Sequence, residues 1–214
     1  MNLARYVDTP FQEEHVVAAV VARTEAGNLH AGLLYWDGMK VAELHLGWVD
    51  RMFNTWDWSG VWASPSGGPE QLNAAAGMCR LVWRRFNQNR RFPYGLHFDG
   101  ASFDASGRLE LGPNSRGLTC ATLILAVMRF ARIRVVAEET WPTRTDEDLK
   151  FIEFVRPWAK EEHVAALERD VDEGAKRIWP DEVVGACSLA ALPADFDRAR
   201  NAADRVLELL RGES

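Results

Sequence analysis

The stretch LHAGLLYWDGMKVAELHLG, residues 29–47, reads as two apolar runs on either side of Asp37-Gly38. Asp-Gly between apolar runs is the strongest short-range hairpin signal, because both central positions of a tight primed turn need positive φ. A two-residue turn there places Trp36 opposite Met39 and, further along, His30 opposite His45. Both imidazoles then project from one face, with Cβ atoms about 5 Å apart. Glu43 points the same way, opposite Gly32. A one-residue change in turn length would move the register and spoil the pairing.

Upstream, HVVAAVVAR (15–23) is a valine-rich strand, separated from the hairpin by the turn-like TEAGN (24–28). Downstream, residues 48–62 hold four of the nine tryptophans, and SPSGGP (64–69) is a loop. Residues 70–87 carry apolar side chains at helical spacing, and 93–112 hold short strand-like pieces around YGLHF and RLEL. GLTCATLILAVMRFARI (117–133) is the most apolar helix, and 134–137 a short strand. The last third is helical, over Thr145–Val155, 160–179 and 194–211. The first of these opens on Thr145-Asp146-Glu147-Asp148, which has the form of a capping box with aspartate in the last place. The pattern predicts an α+β fold: an antiparallel sheet packed on a buried helix over 1–140, with a helical extension over 141–214 packed on that core.

Cys120 stands where a glycine-led loop enters the apolar helix. A helix N-terminus favours a thiolate through its dipole and its unpaired N–H groups, and the same N–H groups can hold an oxyanion. A thiol nucleophile needs a base, and the base needs a partner that fixes its tautomer. His30 and His45 across the hairpin supply that pair, with Glu43 a possible orienter. The bland alternatives are a buried core cysteine and a solvent-facing strand side. A zinc site on His30, His45 and Glu43 competes for the same residues, but no Cys-x-x-Cys or His-Glu-x-x-His accompanies them. Cys79 and Cys187 lie in apolar surroundings and read as core.

The hairpin LHAGLLYWDGMKVAELHLG resembles the catalytic-histidine hairpin of papain-like NlpC-type cysteine peptidases, and GLTCATLILAVM resembles their nucleophile helix. Here His30 precedes Cys120, an order similar to that of the circularly permuted branch, which includes lecithin:retinol acyltransferase-like proteins. The resemblance covers about 30 residues in two blocks and leaves out the helical tail. It implies a permuted papain-like fold with Cys120 as nucleophile, His30 as base and His45 as orienting residue. It also implies a peptidase, amidase or acyltransferase acting on a peptide, amide or acyl substrate without a cofactor. The long tryptophan-rich segment after the hairpin departs from the family, and Trp56 and Trp58 are candidates to line an apolar substrate groove.

The formal net charge of −6 excludes a global basic field, so no nucleic-acid partner is expected. No apolar run is long enough to span a membrane, and the first 14 residues lack the apolar centre of a secretory leader. Three cysteines do not make a disulfide framework, so a cytoplasmic protein with reduced thiols is expected. The alternative function is a non-catalytic binding module on the same fold. It would use the tryptophan-rich loop or the arginine-rich run RLVWRRFNQNRR, 80–91.

Overall fold

A computed structural model describes residues 3–47, 50–54, 60–87 and 91–212. The chain is mixed α+β. The strands of the main sheet are β1 (Ala4–Arg5), β2 (Val17–Arg23), β3 (Leu29–Trp36), β4 (Val41–Gly47), β5 (Arg51–Phe53) and β6 (Val61–Ala63). They pair antiparallel in the order β1-β6-β2-β3-β4-β5. Helix α1 (Pro69–Phe86) follows, then a small hairpin of β7 (Ser102–Phe103) and β8 (Leu109–Glu110). Next come α2 (Cys120–Phe130), α3 (Thr145–Val155), α4 (Glu161–Asp172), α5 (Pro180–Cys187) and α6 (Phe196–Arg211).

The valine-rich β2 is apolar on both sides because both faces of the sheet are covered. Val17, Ala19 and Val21, with Ala31, Leu33 and Tyr35 of β3, join one core with α1, α2, α5 and α6. Ala18, Val20, Ala22 and Leu34 face the other way, against Phe11 and Trp62. The Trp62 indole N–H donates to the Thr9 carbonyl at 2.9 Å, so this tryptophan closes the second face. Trp56 and Trp58 lie outside the described residues, as does Trp48.

Several expected elements differ in detail. The helix read over 160–179 stops at Asp172, where Gly174 takes a φ of 77° that ends a helical run. A new helix, α5, starts at Pro180 in the first helical position, and all eight of its residues are buried. Thr145 caps nothing: α3 has Arg144 at its N-cap without a side-chain bond, and Asp148 turns into the protein. YGLHF forms no strand, because its backbone is held by other groups. Leu96 N–H donates to the Asp170 carboxylate at 2.8 Å, and the Pro93 carbonyl accepts from Leu118 N–H at 3.0 Å. The piece over 134–137 contributes one parallel bridge, Val136 to Ala194.

The hairpin also closes differently. Its loop runs over 37–40: the Asp37 carboxylate accepts from the N–H groups of Met39 and Lys40 at 2.8 and 3.0 Å, and Asp37 N–H donates to the Lys40 carbonyl. Trp36 therefore opposes Val41 and Leu34 opposes Glu43, a shift of two residues from the tight-turn register. A two-residue shift preserves every side-chain face, since strand side chains alternate with period two. Glu43 consequently sits opposite Leu34 and not Gly32.

Among the described residues no helix is long and apolar enough to cross a membrane. All three cysteines are unbridged thiols.

Candidate active site

The β3–β4 pairing runs only from Trp36–Val41 to Leu33–Leu44. Beyond Leu44, β4 turns to β5, with His45 opposite Phe53 and Gly47 opposite Arg51. The two strands of the hairpin therefore splay at their open end. Trp36 N–H donates to Val16 on the β2 side, so by alternation the N–H of Ala31 faces the side that β4 has left. That N–H meets the sulfur of Cys120 instead.

Cys120 is the first residue of α2. Its placement follows from the two threonines around it. The Thr119 hydroxyl accepts from Thr122 N–H at 3.2 Å, and the Thr122 hydroxyl accepts from Thr119 N–H at 2.7 Å. This reciprocal cap satisfies two N–H groups at the start of the helix. Upstream, Gly117 lies against the 93–94 backbone. A Cβ there would stand 2.3 Å from the Pro93 carbonyl carbon and oxygen and 2.4 Å from Tyr94 N. Since these neighbours are backbone, Gly117→Ala is expected to destabilise the fold by about 1–3 kcal/mol and to displace the first turn of α2. Thermal melting together with the alkylation rate of Cys120 would measure both. An unchanged melting temperature would show that the two loops separate freely.

His30 and His45 meet across the splay. His30 Nε2 lies 3.0 Å from His45 Nδ1, with the rings nearly perpendicular at 86°. They are 6% and 2% exposed, so the face that carries them is not a solvated strand side. The His45 ring also stacks on Phe53, 5.1 Å between centroids and 12° between planes. The pair thus touches as expected, but as diagonal neighbours, not directly opposed residues.

Cys120 and His30 line one cavity of about 40 Å³, together with Leu46, Tyr94, Thr119 and Arg177. Burial dominates the protonation of both groups. It pushes the His30 imidazolium down to about 4, and it raises the Cys120 thiol above its ordinary value. The Ala31 N–H, the Arg177 charge and the N–H groups at the start of α2 oppose the rise in the thiol without reversing it. The helix N-terminus was expected to depress this thiol, and desolvation outweighs it. At neutral pH the cavity is therefore lined by a thiol and a neutral imidazole. The tautomer in which His30 Nε2–H donates to His45 Nδ1 leaves His30 Nδ1 as the basic nitrogen, and the opposite tautomer reverses those roles.

Sequence reasoning missed Arg177. It comes from the connection between α4 and α5, 57 positions after Cys120, and no motif links the two. It also missed Asp170, which holds the loops leading to Cys120. Its carboxylate takes Leu96 N–H and, at 2.5 Å, the Arg116 guanidinium, so both loops beside Gly117 depend on α4. His163 of α4 lies 2.9 Å from the Asp50 carboxylate at the β4–β5 turn. Cys79 and Cys187 are core residues, with thiols raised by burial. Among the described residues no three His, Cys, Asp or Glu side chains group to hold a metal ion.

No protein-family model, curated protein or solved structure matches the chain.

Proposed function

We propose that the chain is a thiol hydrolase or acyltransferase of circularly permuted papain-like design, acting on an amide, thioester or ester. The observation that carries this reading is the joint placement of Cys120, at a helix N-terminus, and His30, bonded to His45, in one cavity. The core over 1–140 provides these three residues, and the extension over 141–214 adds Arg177 to the same cavity. The reduced thiols fit a cytoplasmic location.

The Cys120 sulfur attacks the acyl carbon as His30 takes the thiol proton, and a C–S bond forms. Backbone N–H groups of Cys120 and Ala121, which already face the sulfur, stabilise the oxyanion. His30 returns the proton to the leaving amine, alcohol or thiol as its bond to the acyl carbon breaks. Water or a second nucleophile then adds to the acyl-enzyme, gives its proton to His30, and the C–S bond breaks to restore the thiol. His45 holds the His30 tautomer that leaves Nδ1 basic.

Mass-spectrometric screening of the protein with acyl and peptide activity-based probes tests this, with Cys120→Ser as control. Capture at Cys120 that Cys120→Ser abolishes is expected. Uniformly slow labelling of all three thiols would instead favour the non-catalytic module, the reading that the burial-raised thiol supports. Two arginines of the run that such a module would use are engaged within the protein. Arg80 donates to the Trp36 carbonyl and Arg91 pairs with Glu162.

His45→Ala is expected to lower turnover about 10–100-fold with the fold intact, by analogy with the loss of other groups that orient a histidine. Glu43→Ala is expected to do less, because Glu43 pairs across from Leu34, further from His30. Probe-capture rates for the two variants compare them. A larger loss in Glu43→Ala would exchange their roles.

A further inference from the structure

The cavity that holds Cys120 does not end at the thiol. Leu29, Phe151, Arg177 and Pro180 also border an outer groove of about 380 Å³, with Lys150 and Trp179 further along it. Arg177 is thus the charged side chain common to the inner cavity and the outer groove.

Its surroundings hold the guanidinium in place without covering it. The Phe151 ring lies under it, 3.6 Å from the guanidinium carbon to the centroid. The buried Asp148 carboxylate reaches it from behind at 3.4 Å. Among the described residues that is its one carboxylate partner, at a long distance for a group with five donors. Burial raises the Asp148 carboxyl above its usual range, against the opposing pull of the Arg177 and Arg144 charges. The side chain keeps 15% exposure. The other groove carboxylate, Asp181, is buried and turned to Arg200 at 3.6 Å, while Lys150 adds a second cation. The groove beside the thiol is thus lined by two cations, Arg177 and Lys150, while the carboxylates of Asp148 and Asp181 are buried at 1% and 2% exposure.

We propose that Arg177 binds a carboxylate of the substrate next to the acyl group that Cys120 attacks, so that the site selects carboxylate-bearing acyl compounds. A planar, pre-positioned guanidinium suits a carboxylate, which it can meet with two parallel N–H donors. The aromatic wall of Phe151, Phe154 and Trp179 takes an apolar portion of the same molecule further out. This inference rests on Cys120 being the reactive thiol.

Alkylation with two matched reagents tests it without a known substrate. Iodoacetate and iodoacetamide both form an S–CH₂ bond and release iodide, and differ only in a carboxylate against a neutral amide. A thiolate in water disfavours the anionic reagent by like-charge repulsion. At Cys120 the iodoacetate-to-iodoacetamide rate ratio is expected to exceed that of N-acetylcysteine by about tenfold, the effect of one charge-assisted contact. The excess should shrink with added salt, persist largely in Arg177→Lys and vanish in Arg177→Met. Arg177→Met paired with Asp148→Asn avoids leaving a buried carboxylate alone and should lose the preference equally. A purely structural arginine would change both rates together and leave the ratio unmoved, which would overturn the proposal. Rapid iodoacetamide labelling with the ratio of the free thiol would overturn the anion site alone. Inertness of Cys120 to both reagents would overturn the thiol-enzyme reading as well.

Discussion

Replacing His30 with alanine is expected to slow acylation of Cys120 by roughly 10²–10⁴-fold, the usual contribution of a positioned general base. The pH dependence carries the sharper information. Burial holds the His30 imidazolium at about 4, so the base form is present at all pH values above that. The thiol is raised above its ordinary value by the same dryness. The state that the proposed mechanism needs, a thiol with a neutral imidazole in the same cavity, therefore spans a broad plateau. kcat/KM for a probe should climb through pH about 4 and stay flat beyond neutrality. An acid limb near 6.5, the ordinary histidine value, would mean that His30 is solvated or is not the base. The same group governs acid stability. Unfolded His30 binds a proton below about 6.5, whereas folded His30 resists until about 4, so the unfolded state binds more protons in that window. Stability is full above the window and falls through it, by roughly 3 kcal/mol from this residue. His30→Gln should flatten that part of the pH–stability curve.

Glu182→Ala is expected to destabilise the protein by about 3–5 kcal/mol, the range for breaking a buried ion pair from one side. Glu182 is fully buried at the start of α5. Its carboxylate accepts both ends of the Arg144 guanidinium at 2.6 and 3.0 Å, the Trp141 indole N–H at 3.1 Å and the Trp179 backbone N–H at 2.9 Å. Removing it leaves a guanidinium 12% exposed, stacked on the Trp179 ring and without its carboxylate. Denaturant midpoints should show the loss. Arg144→Met combined with Glu182→Leu should recover only part of it, because apolar replacement removes the desolvation cost of both charges but takes the acceptor from the Trp141 and Trp179 N–H groups. A single-variant loss under about 1 kcal/mol would place water against the pair.

The strands of the hairpin, the long helices α1 and α2, and the contact between His30 and His45 were legible in the order of residues. Apolar alternation and the Asp-Gly turn carry the first, helical spacing the second. The contact survived a wrong loop length because a two-residue slip leaves faces unchanged and imidazoles reach diagonal neighbours. The loop length itself turned on Asp37, whose carboxylate binds two backbone N–H groups and favours four residues over two. Asp148 read as a cap because caps are local, but it was drawn inward by Arg177, 29 positions away. Arg177 and Asp170 reach the site through tertiary packing of helices whose spacing only announces that they are helices. The sign of the Cys120 shift was equally hidden, since the helix terminus is written in the sequence and the dryness around it is not.

The carboxylate of Asp170 bears on how divisible this protein is. It is the anchor for Leu96 and Arg116, on the two loops that flank Gly117, and it belongs to α4 in the C-terminal third. From the same third, α5 and α6 add Val183, Val184, Val206 and Leu210 to the core beneath the sheet. A chain cut after residue 140 would keep Cys120, His30 and His45 and still lose the scaffold that aims them. Cys120, His30 and His45 all belong to the first two thirds, yet the contacts that fix their surroundings come from the last, so swapping or trimming the tail would be an intervention on the proposed site itself.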